Sequence, residues 1–200
     1  MPLFDHFDFL APFYEKAIPL KNQDKLIEIA HLPARGSLLD AGGGTGRVAK
    51  ALVGLVDRVV LLDASPGMLR EAIQNDGLEL VNGVTENIPF PNQSFEIVIM
   101  VDALHHVTSQ KDTIAELWRA TKPGGRIVIV EPDYDRFMVK MVAFAEKVAF
   151  MRSHFLSPGQ IEEHFGIYSG AKTTIERDGF NAWIVCHKPA ESTDTWQHFA

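Results

Sequence analysis

Four glycines fall within five positions of the segment LLDAGGGTGRVAKAL, which spans residues 38–52. Glycine loses more backbone freedom on folding than any other residue, so this density is costly unless the local structure requires it. An apolar run that ends at Asp40 precedes the glycines, and a run with helical spacing follows them. The pattern predicts a strand, a loop and a helix, with the loop backbone lying so close to a polar ligand that side chains would interfere.

The spacing within this loop permits a dinucleotide as the ligand. Gly44, Gly46 and Ala49 satisfy the pattern G-x-G-x-x-A, and Asp63 follows Gly44 by 19 residues, as the ribose-binding acid of that pattern would. A single match of this kind is weak evidence, and the pattern gives no role to Asp40. The same spacing also permits a second kind of ligand that contains a nucleoside.

Two adjacent histidines, His105 and His106, follow another apolar run. An imidazole accepts a proton near neutral pH, so either residue could serve as a general base at the end of a strand. Neighbouring side chains at a strand end point in different directions, and we therefore expect at most one of the two to face a ligand. A core or capping histidine is an equally good interpretation of each.

Composition excludes several other classes of function. No spacing of His, Cys, Asp and Glu predicts a metal site, and no G-x-S-x-G hydrolase motif occurs. The net charge of -7, without a basic patch, argues against a nucleic-acid partner. The single Cys186 fits a reducing compartment. Acids occupy the start of the chain, and no apolar run reaches the roughly 18 residues of a membrane span, so the sequence predicts a cytoplasmic protein with a small-molecule ligand.

Short apolar runs alternate with helical stretches around these residues. Strands are predicted at residues 37–41, 58–64, 78–83, 95–101 and 126–132, and helices at 45–54, 66–74 and 110–121. Such alternation predicts an α/β fold, with a doubly wound, mostly parallel sheet covered by helices on both faces. The glycine loop, Asp63 and the histidines follow three of these strands and would therefore meet at one edge of the sheet.

The remaining segments lie outside this alternation. Residues 136–155 have a long helical pattern, a short helix follows Ser157, and the runs AKTTIERD and FNAWIVCHK predict an antiparallel hairpin. We expect one domain over residues 1–200. Its parts are an N-terminal helical lid (1–36), a core (37–135), a helical insertion (136–166), a hairpin (167–188) and a tail (189–200). The front aromatic residues and the Met-rich insertion suit an adaptable apolar lid over the site.

The pattern Asp40-x-Gly42-x-Gly44-x-Gly46, followed by Asp63, resembles motif I of the class I S-adenosylmethionine-dependent methyltransferases. The resemblance continues over about residues 37–133. Its further segments are DASPGML at 63–69, GVTENIPFP at 83–91 with SFE at 94–96, ALHHV at 103–107 and KPGGR at 122–126. The C-terminal hairpin extends it, since the family has a reversed seventh strand there. The most similar branch contains the ubiquinone and menaquinone methyltransferases.

This resemblance implies a seven-stranded Rossmann-like sheet with an antiparallel C-terminal strand, and S-adenosyl-L-methionine as the cofactor. Among the implied cofactor-binding residues, Gly42, Gly44 and Gly46 would let the backbone approach the aminocarboxypropyl arm, and Asp63 would accept from the ribose hydroxyls. Met68 would pack on the adenine face, and Thr85 and Glu86 would border the adenine edge. Asp40 and Ala64 complete the implied cofactor-binding set. His105 and His106 are the catalytic candidates. The implied reaction transfers a methyl group to a small, apolar or ring-containing acceptor.

Val84 departs from the family pattern, which usually has an Asp that accepts from the adenine amino group. Valine cannot accept a hydrogen bond, so Glu86 or a backbone carbonyl replaces that Asp, or the affinity is lower. Two alternatives therefore stay open. One is a nicotinamide-dependent oxidoreductase, favoured by G-x-G-x-x-A, and the other is a non-catalytic S-adenosylmethionine-binding protein, favoured by Val84. The sequence predicts no oligomeric state.

Overall fold

The structure is a computed structural model that describes residues 23–135 and 154–190. The helices are α1 (Gln23–Ile29), α2 (Arg47–Leu52), α3 (Pro66–Ala72), α4 (Gln110–Ala120) and α5 (Pro158–Gly166), with a 3-10 helix at Leu104–His106. The strands are β1 (Ser37–Ala41), β2 (Arg58–Asp63), β3 (Leu78–Asn82), β4 (Phe95–Val101), β5 (Thr121–Pro132), β6 (Lys172–Asp178) and β7 (Asn181–His187). Residues 1–22 of the predicted lid, 136–153 of the insertion and 191–200 of the tail lie outside the described residues, so the division of residues 1–200 stays a prediction.

All seven strands form one sheet in the order β3-β2-β1-β4-β5-β7-β6. Strands β1 to β5 are parallel, and β7 runs antiparallel between β5 and β6. The predicted α/β fold with a reversed last strand is therefore confirmed. Leu38 packs in one core cluster with α1 and α2, while Leu39 packs in the other with α4 and α5, because successive strand residues point to opposite faces. In the described part of the chain, no helix has the length and apolarity to cross a membrane.

Local signals set the starts of the helices as the sequence predicts. The Ser65 side chain accepts from the N–H of Met68 at 3.1 Å, and Pro66 takes the first helical position of α3. Ser157 and Gln160 form a reciprocal capping box at the start of α5. The predicted start of the fifth strand at residue 126 is late, because β5 already begins at Thr121. Its pairing with β4 is irregular there: Thr121 lies beside Phe95 and Arg126 beside Ile97, so residues 122–125 are extra residues in β5.

The strand order places a switch point between β1 and β4. From β1 the chain crosses to β2 on one side, whereas β4 is followed by β5 on the other, so the loops at the carboxyl ends diverge and leave a crevice. Four acids stand at this edge: Asp40 in β1, Asp63 at the end of β2, Asp102 directly after β4, and Glu131 in β5. The sheet therefore gathers carboxylates around the point where a parallel α/β sheet binds its ligand.

Candidate functional site

The glycine loop between β1 and α2 turns back onto the neighbouring strand. The N–H groups of Gly42 and Gly43 donate to the Leu62 carbonyl at 2.7 and 3.2 Å. Gly42, Gly44 and Gly46 have φ angles of 73°, 57° and 79°. This left-handed conformation is strained for residues with a side chain, so the geometry of the loop itself requires glycine at these positions.

The atoms that a side chain would meet at each glycine show whether packing within the protein already requires a glycine there. A Cβ added at Gly42 would lie 2.9 Å from the Cβ of Ala103, and one at Gly46 would lie 3.0 Å from leucine side chains of β2 and β3. Packing within the protein therefore already explains these two glycines. At Gly44, in contrast, the Met68 sulfur is the only described atom within 4 Å of an added Cβ, at 3.9 Å. Among the described residues, the open space along this loop is therefore at Gly44, where the backbone can approach a ligand.

Asp40 is buried beneath the loop, with 1% of its surface exposed. The missing side chain of Gly43 makes room for it, since a Cβ there would lie 2.8 Å from Asp40 Oδ2. Among the described residues, no donor reaches this oxygen. Burial, reinforced by the negative charge of Asp63, raises the pKa of the Asp40 carboxyl to about 7, against the opposing effects of the Ala49 N–H and Arg47. A buried carboxylate oxygen in this state points to a donor or cation supplied by a ligand.

Asp63 supports the loop and faces the same space. Its Oδ2 accepts from the Gly44 N–H at 2.8 Å, and its Oδ1 accepts from the Ser65 N–H at 2.8 Å. An ionised carboxylate can accept about four hydrogen bonds, and these two amides each contact a different oxygen of Asp63. The contact with Gly44 places the carboxylate beside the open space, where it could also accept from a pair of ribose hydroxyls.

Replacing Asp63 with Ala is expected to weaken the binding of S-adenosylhomocysteine about 10- to 100-fold, because hydrogen bonds to a charged group contribute roughly 1.5–3 kcal/mol. Titration calorimetry on the folded variant measures this loss. Asp57→Ala is the matched control, since Asp57 also accepts from a backbone amide, that of Gly36 at 2.7 Å, but precedes β2 at the opposite edge of the sheet. Equal affinities for Asp63→Ala and the wild type would exclude a ribose-binding role.

Residues of the predicted adenine pocket are only partly brought together. Met68 is buried at 3% exposure beside Gly44, and Ala64 is exposed directly after β2. The Thr85 hydroxyl lies 3.1 Å from that of Thr113 in α4, so it bonds within the protein. Met68 thus lies beside the glycine loop, and the contacts of Met68 and Thr85 with an adenine both stay predictions.

Glu86 ties the segment after β3 to the start of α4. Its Oε1 accepts from the N–H groups of Thr108 and Ser109 at 2.7 and 3.3 Å. The nearby Val84 is 48% exposed. One oxygen of Glu86 is thus engaged by backbone, and the apolar Val84 side chain faces outward where the family has its adenine-binding acid.

Val84→Asp is expected to strengthen the binding of S-adenosylhomocysteine by roughly 1 kcal/mol, because the new carboxylate can accept from the adenine amino group. Calorimetry measures the change. Val53→Asp controls for the added charge, since Val53 is also exposed, at 38%, but lies after α2 and away from the glycine loop. Weaker binding by Val84→Asp would show that Glu86 or a backbone group already holds this edge.

Glu131 organises the turn that carries the two histidines. Its Oε1 accepts from the N–H groups of Ala103 and Leu104 at 3.0 and 2.8 Å, and its Oε2 lies 2.6 Å from Nδ1 of His105. Glu131 is not among the site residues predicted from the sequence. The run RIVIVEP could have indicated it, because an acid stands at the end of an apolar strand there, as Asp63 does at the end of β2.

The two histidines differ in their surroundings. His105 is 6% exposed, pairs with Glu131 and stacks on Phe155 with ring centroids 4.5 Å apart. His106 is half-buried, with its ring centroid 3.9 Å from that of His105. Burial, followed by repulsion from His105, lowers the pKa of His106 to about 3, so this ring is neutral at pH 7. Within the predicted insertion, His154 also donates its backbone N–H to the His105 carbonyl at 2.8 Å.

Asp102 completes the acidic edge and was also missed from sequence. Its φ of 52° is left-handed, a rare conformation for a residue with a side chain. Burial, with a further contribution from Glu131, raises its pKa, whereas His105 and Arg47 oppose the rise. The resulting site is rich in carboxylates and favours a ligand with positive charge. Within the described residues, no group of three or more His, Cys, Asp and Glu side chains is arranged to hold a metal ion.

Comparison with known proteins agrees with this geometry. Residues 39–129 match a family described as a methyltransferase domain. Over 115 residues, the chain is 35% identical to the ubiquinone/menaquinone biosynthesis C-methyltransferase UbiE of Pseudomonas fluorescens (strain Pf0-1). The similarity to methyltransferases therefore covers the central part of the chain, from strand β1 to strand β5. The resemblance inferred from the sequence motifs is thereby confirmed.

Solved structures share the fold of this methyltransferase domain. The DhpI–SAH complex superimposes with a TM-score of 0.69 at 21% identity, over 93% of this chain and 94% of that one. A SAM-dependent methyltransferase from Aquifex aeolicus gives 0.67 at 17% identity, over 92% and 98%. The match to the Pseudomonas relative covers 52% of this chain but only 45% of that protein, so the chain spans about half the length of the curated relatives it matches.

Proposed function

We propose that this protein transfers the methyl group of S-adenosylmethionine to a small, apolar or ring-containing acceptor. The observation that carries the proposal is the buried Asp40 oxygen without a described donor, beneath a glycine loop that is open at Gly44. S-adenosylmethionine carries two positive charges, on its sulfonium and ammonium groups, and one carboxylate. A ligand with a net positive charge suits an edge lined by Asp40, Asp63, Asp102 and Glu131.

The same acidic edge argues against the nicotinamide alternative. A dinucleotide brings a doubly negative pyrophosphate to the loop, where it would meet the charge of Asp63 and increase the cost of ionising Asp40. Arg47 is the cation that acts on Asp40 and on Asp102 at this edge. Its single positive charge is smaller than the total negative charge that the surrounding carboxylates carry when ionised. Electrostatics therefore favours the cationic cofactor, although the glycine spacing by itself permits both.

The residues present fit this cofactor. The backbone at Gly44 would lie against the aminocarboxypropyl arm, Asp40 would face its ammonium group, Asp63 would accept from the ribose, and Met68 would pack on the adenine. When bound, S-adenosylmethionine supplies a methyl group already activated by the sulfonium. The protein then has to hold the acceptor in line and exclude water, and correct positioning alone can lower the barrier substantially.

The class of acceptor rests on apolar surface near the histidine turn. Phe155 stacks on His105 and on Tyr134, with centroids 4.5 and 5.7 Å apart, and forms an aromatic wall beside the crevice. Aromatic side chains stack favourably with planar rings. The lid over residues 1–20 and 136–156 belongs to the same proposal and lies mostly outside the described residues. A quinol ring carbon is a second candidate acceptor, favoured by the similarity to relatives named ubiquinone/menaquinone biosynthesis C-methyltransferase.

Transfer of radiolabelled methyl from S-adenosylmethionine tests the proposed function. The full chain should label 1,4-naphthohydroquinone, a planar ring with both hydroxyl and carbon acceptor positions, and Asp63→Ala should do so much less at limiting cofactor. Regiochemistry of the product separates transfer to oxygen from transfer to carbon. A protein that binds S-adenosylhomocysteine but labels none of a panel of ring-containing acceptors would support the non-catalytic binding alternative instead.

A further inference from the structure

We propose that the protein binds a phosphoryl group at a second site, at the opposite edge of the sheet from the glycine loop. Four residues form this site, and we call them the basic row: Arg126 in β5, His187 at the end of β7, Lys172 at the start of β6, and His31 just after α1. Binding here is independent of the proposed methyl transfer, because none of the four belongs to the candidate cofactor site.

Strand register brings three of these side chains together. Arg126 lies directly opposite His187, and His187 lies directly opposite Lys172. Residues opposite one another in antiparallel strands have Cα atoms about 4.5–5.5 Å apart, and their side chains share a face of the sheet. That face is the one covered by α1, because Val128 and Val185, two positions away on β5 and β7, pack in the same core cluster as α1.

His31 extends the basic row from the segment that follows α1. Its ring centroid lies 6.5 Å from that of His187. The same segment holds Arg126, whose Nη1 donates to the Ile29 carbonyl at 2.8 Å. His31 has a φ of 55°, a conformation that glycine adopts readily and that is uncommon for other residues. A histidine at this position places an imidazole beside the row, which glycine could not do.

No carboxylate neutralises the basic row in the part of the chain that the structure describes. There, none of its four members forms an ion pair with Asp or Glu. Further along the same face of β6, Glu176 and Asp178 lie 3.5 and 3.7 Å from Lys25 of α1, and they pair with that residue instead. Such a row is unexpected in a protein with a net charge of -7, where acids outnumber Lys and Arg.

The charges that act on His187 within the described structure are all positive. Burial lowers the pKa of this imidazole, and repulsion from Arg126, His31 and Lys172 lowers it further. Like charges placed directly opposite one another also destabilise a sheet. An anion bound between these groups would remove the repulsion and would favour the protonated form of His187.

The donors of the row suit a phosphoryl group. Arg126 is half-buried and keeps further N–H donors besides the one on Ile29, and a guanidinium matches the oxygens of phosphate in pairs. Lys172 is exposed and adds a point charge. A phosphoryl group carries up to about two negative charges and three acceptor oxygens, so it can engage several donors at once. The net negative charge of the protein repels long polyanions, which favours a small ligand.

NMR titration of the histidine rings tests whether an anion binds beside His187. Sulfate is the probe, because it has the shape and charge of the phosphate dianion and does not titrate near neutral pH. In the full chain, sulfate should raise the pKa of His187 relative to sodium chloride at equal ionic strength. His164 of α5, which packs on the other face of the sheet, should not respond. An unchanged pKa of His187, or an equal shift at His164, would overturn the proposal.

Calorimetry with inorganic phosphate at constant ionic strength tests the donors. Lys172→Gln should weaken binding about 10-fold, and Arg126→Gln about 10- to 100-fold, because each variant removes a charged donor. Lys111→Gln is the matched control, since Lys111 is an exposed lysine of α4 on the other face. Thermal unfolding checks Arg126→Gln, which also loses the bond to Ile29. If that variant does not fold, the exposed Lys172 decides, and equal losses for Lys172→Gln and Lys111→Gln would overturn the proposal.

Two sources could present the same phosphoryl group, a molecule in solution or a lipid headgroup. Sedimentation with phosphatidylcholine vesicles, with and without phosphatidic acid, distinguishes them. Binding of free phosphate that is weakened by Lys172→Gln supports a soluble ligand. Binding to phosphatidic acid vesicles alone, with the same sensitivity to Lys172→Gln, supports a lipid. A protein that binds neither would contradict the second site and would leave its binding of S-adenosylhomocysteine unaffected.

Discussion

Asp40→Asn is expected to stabilise the ligand-free protein at pH 8 while weakening its binding of S-adenosylhomocysteine. The pKa of the Asp40 carboxyl is raised from 3.8 to about 7 in the folded protein. At about 1.4 kcal/mol for each pKa unit, ionised Asp40 therefore costs up to about 4 kcal/mol of folding free energy. Asn has the same shape without the charge, so the free energy of unfolding should rise by a sizeable part of this amount.

The stabilisation by Asp40→Asn should depend on pH. Because the folded pKa lies above the unfolded one, the cost is absent below pH 4, grows between about pH 4 and 7, and is constant above that range. Urea unfolding at pH 4 should therefore show little benefit of Asp40→Asn, and at pH 8 the full benefit. Asp133→Asn is the contrasting control, because Asp133 is fully buried but paired with Arg177, so its replacement should destabilise the protein. A destabilised Asp40→Asn protein at pH 8 would contradict this account.

The loss of affinity follows from the same carboxylate. The ammonium group of the ligand would lose a charged partner, which is worth about 10- to 100-fold in affinity. Below pH 7, the wild type must also release a proton from Asp40 when the cation binds. Calorimetry at pH 6 in buffers with different ionisation enthalpies should detect this proton in the wild type and not in Asp40→Asn. Identical affinities and no proton release would exclude Asp40 from the cofactor site.

Gly44→Val is expected to abolish cofactor binding while leaving the protein folded. Of the residues that the structure describes, only Met68 borders this position, so the new side chain would enter the volume assigned to the ligand rather than the core. The left-handed φ of 57° adds strain of about 1–2 kcal/mol, which a domain of this size can tolerate. Thermal unfolding measures the stability of the variant, and calorimetry with S-adenosylhomocysteine measures its binding.

Gly179→Val provides a closely matched control for the strain. Gly179 has a φ of 60°, and a Cβ there would meet no described atom within 4 Å, but the residue lies in the β6–β7 turn, and strands β4 and β5 separate β7 from β1. Both variants should lose similar stability, and only Gly44→Val should lose the ligand. If Gly44→Val binds normally, the close backbone approach is the wrong explanation for this glycine.

The fold was largely predictable because its signals are local. Apolar runs and turn residues located the strands, and Ser65 and Ser157 marked the starts of two helices. The start of the strand at Thr121 was missed, since Thr121 pairs with Phe95 ahead of an irregularity at residues 122–125, and no local pattern encodes that pairing. The predicted helical insertion falls mainly outside the described residues.

Residues of the candidate site could be predicted only where the spacing within a single segment of the sequence indicates them. The glycine loop and Asp63 follow from spacing along the chain. The pairing of Glu131 with His105 depends on the register of two parallel strands, in which Val101 lies beside Val130. Sequence spacing also treats Gly42, Gly44 and Gly46 alike, whereas the structure distinguishes them by what each would contact. The pairing of Glu131 with His105 and the difference between the three glycines both depend on tertiary packing, which cannot be inferred from spacing along the chain.

Calorimetric titration of the full chain with S-adenosylhomocysteine and, separately, with NADH tests the central claim most directly. A ligand that binds only the folded protein also raises its melting temperature, so thermal unfolding provides a second readout on the same samples. The account predicts saturable binding and a raised melting temperature with S-adenosylhomocysteine, and neither with NADH. Binding of NADH alone would contradict it and would assign the glycine loop to a dinucleotide.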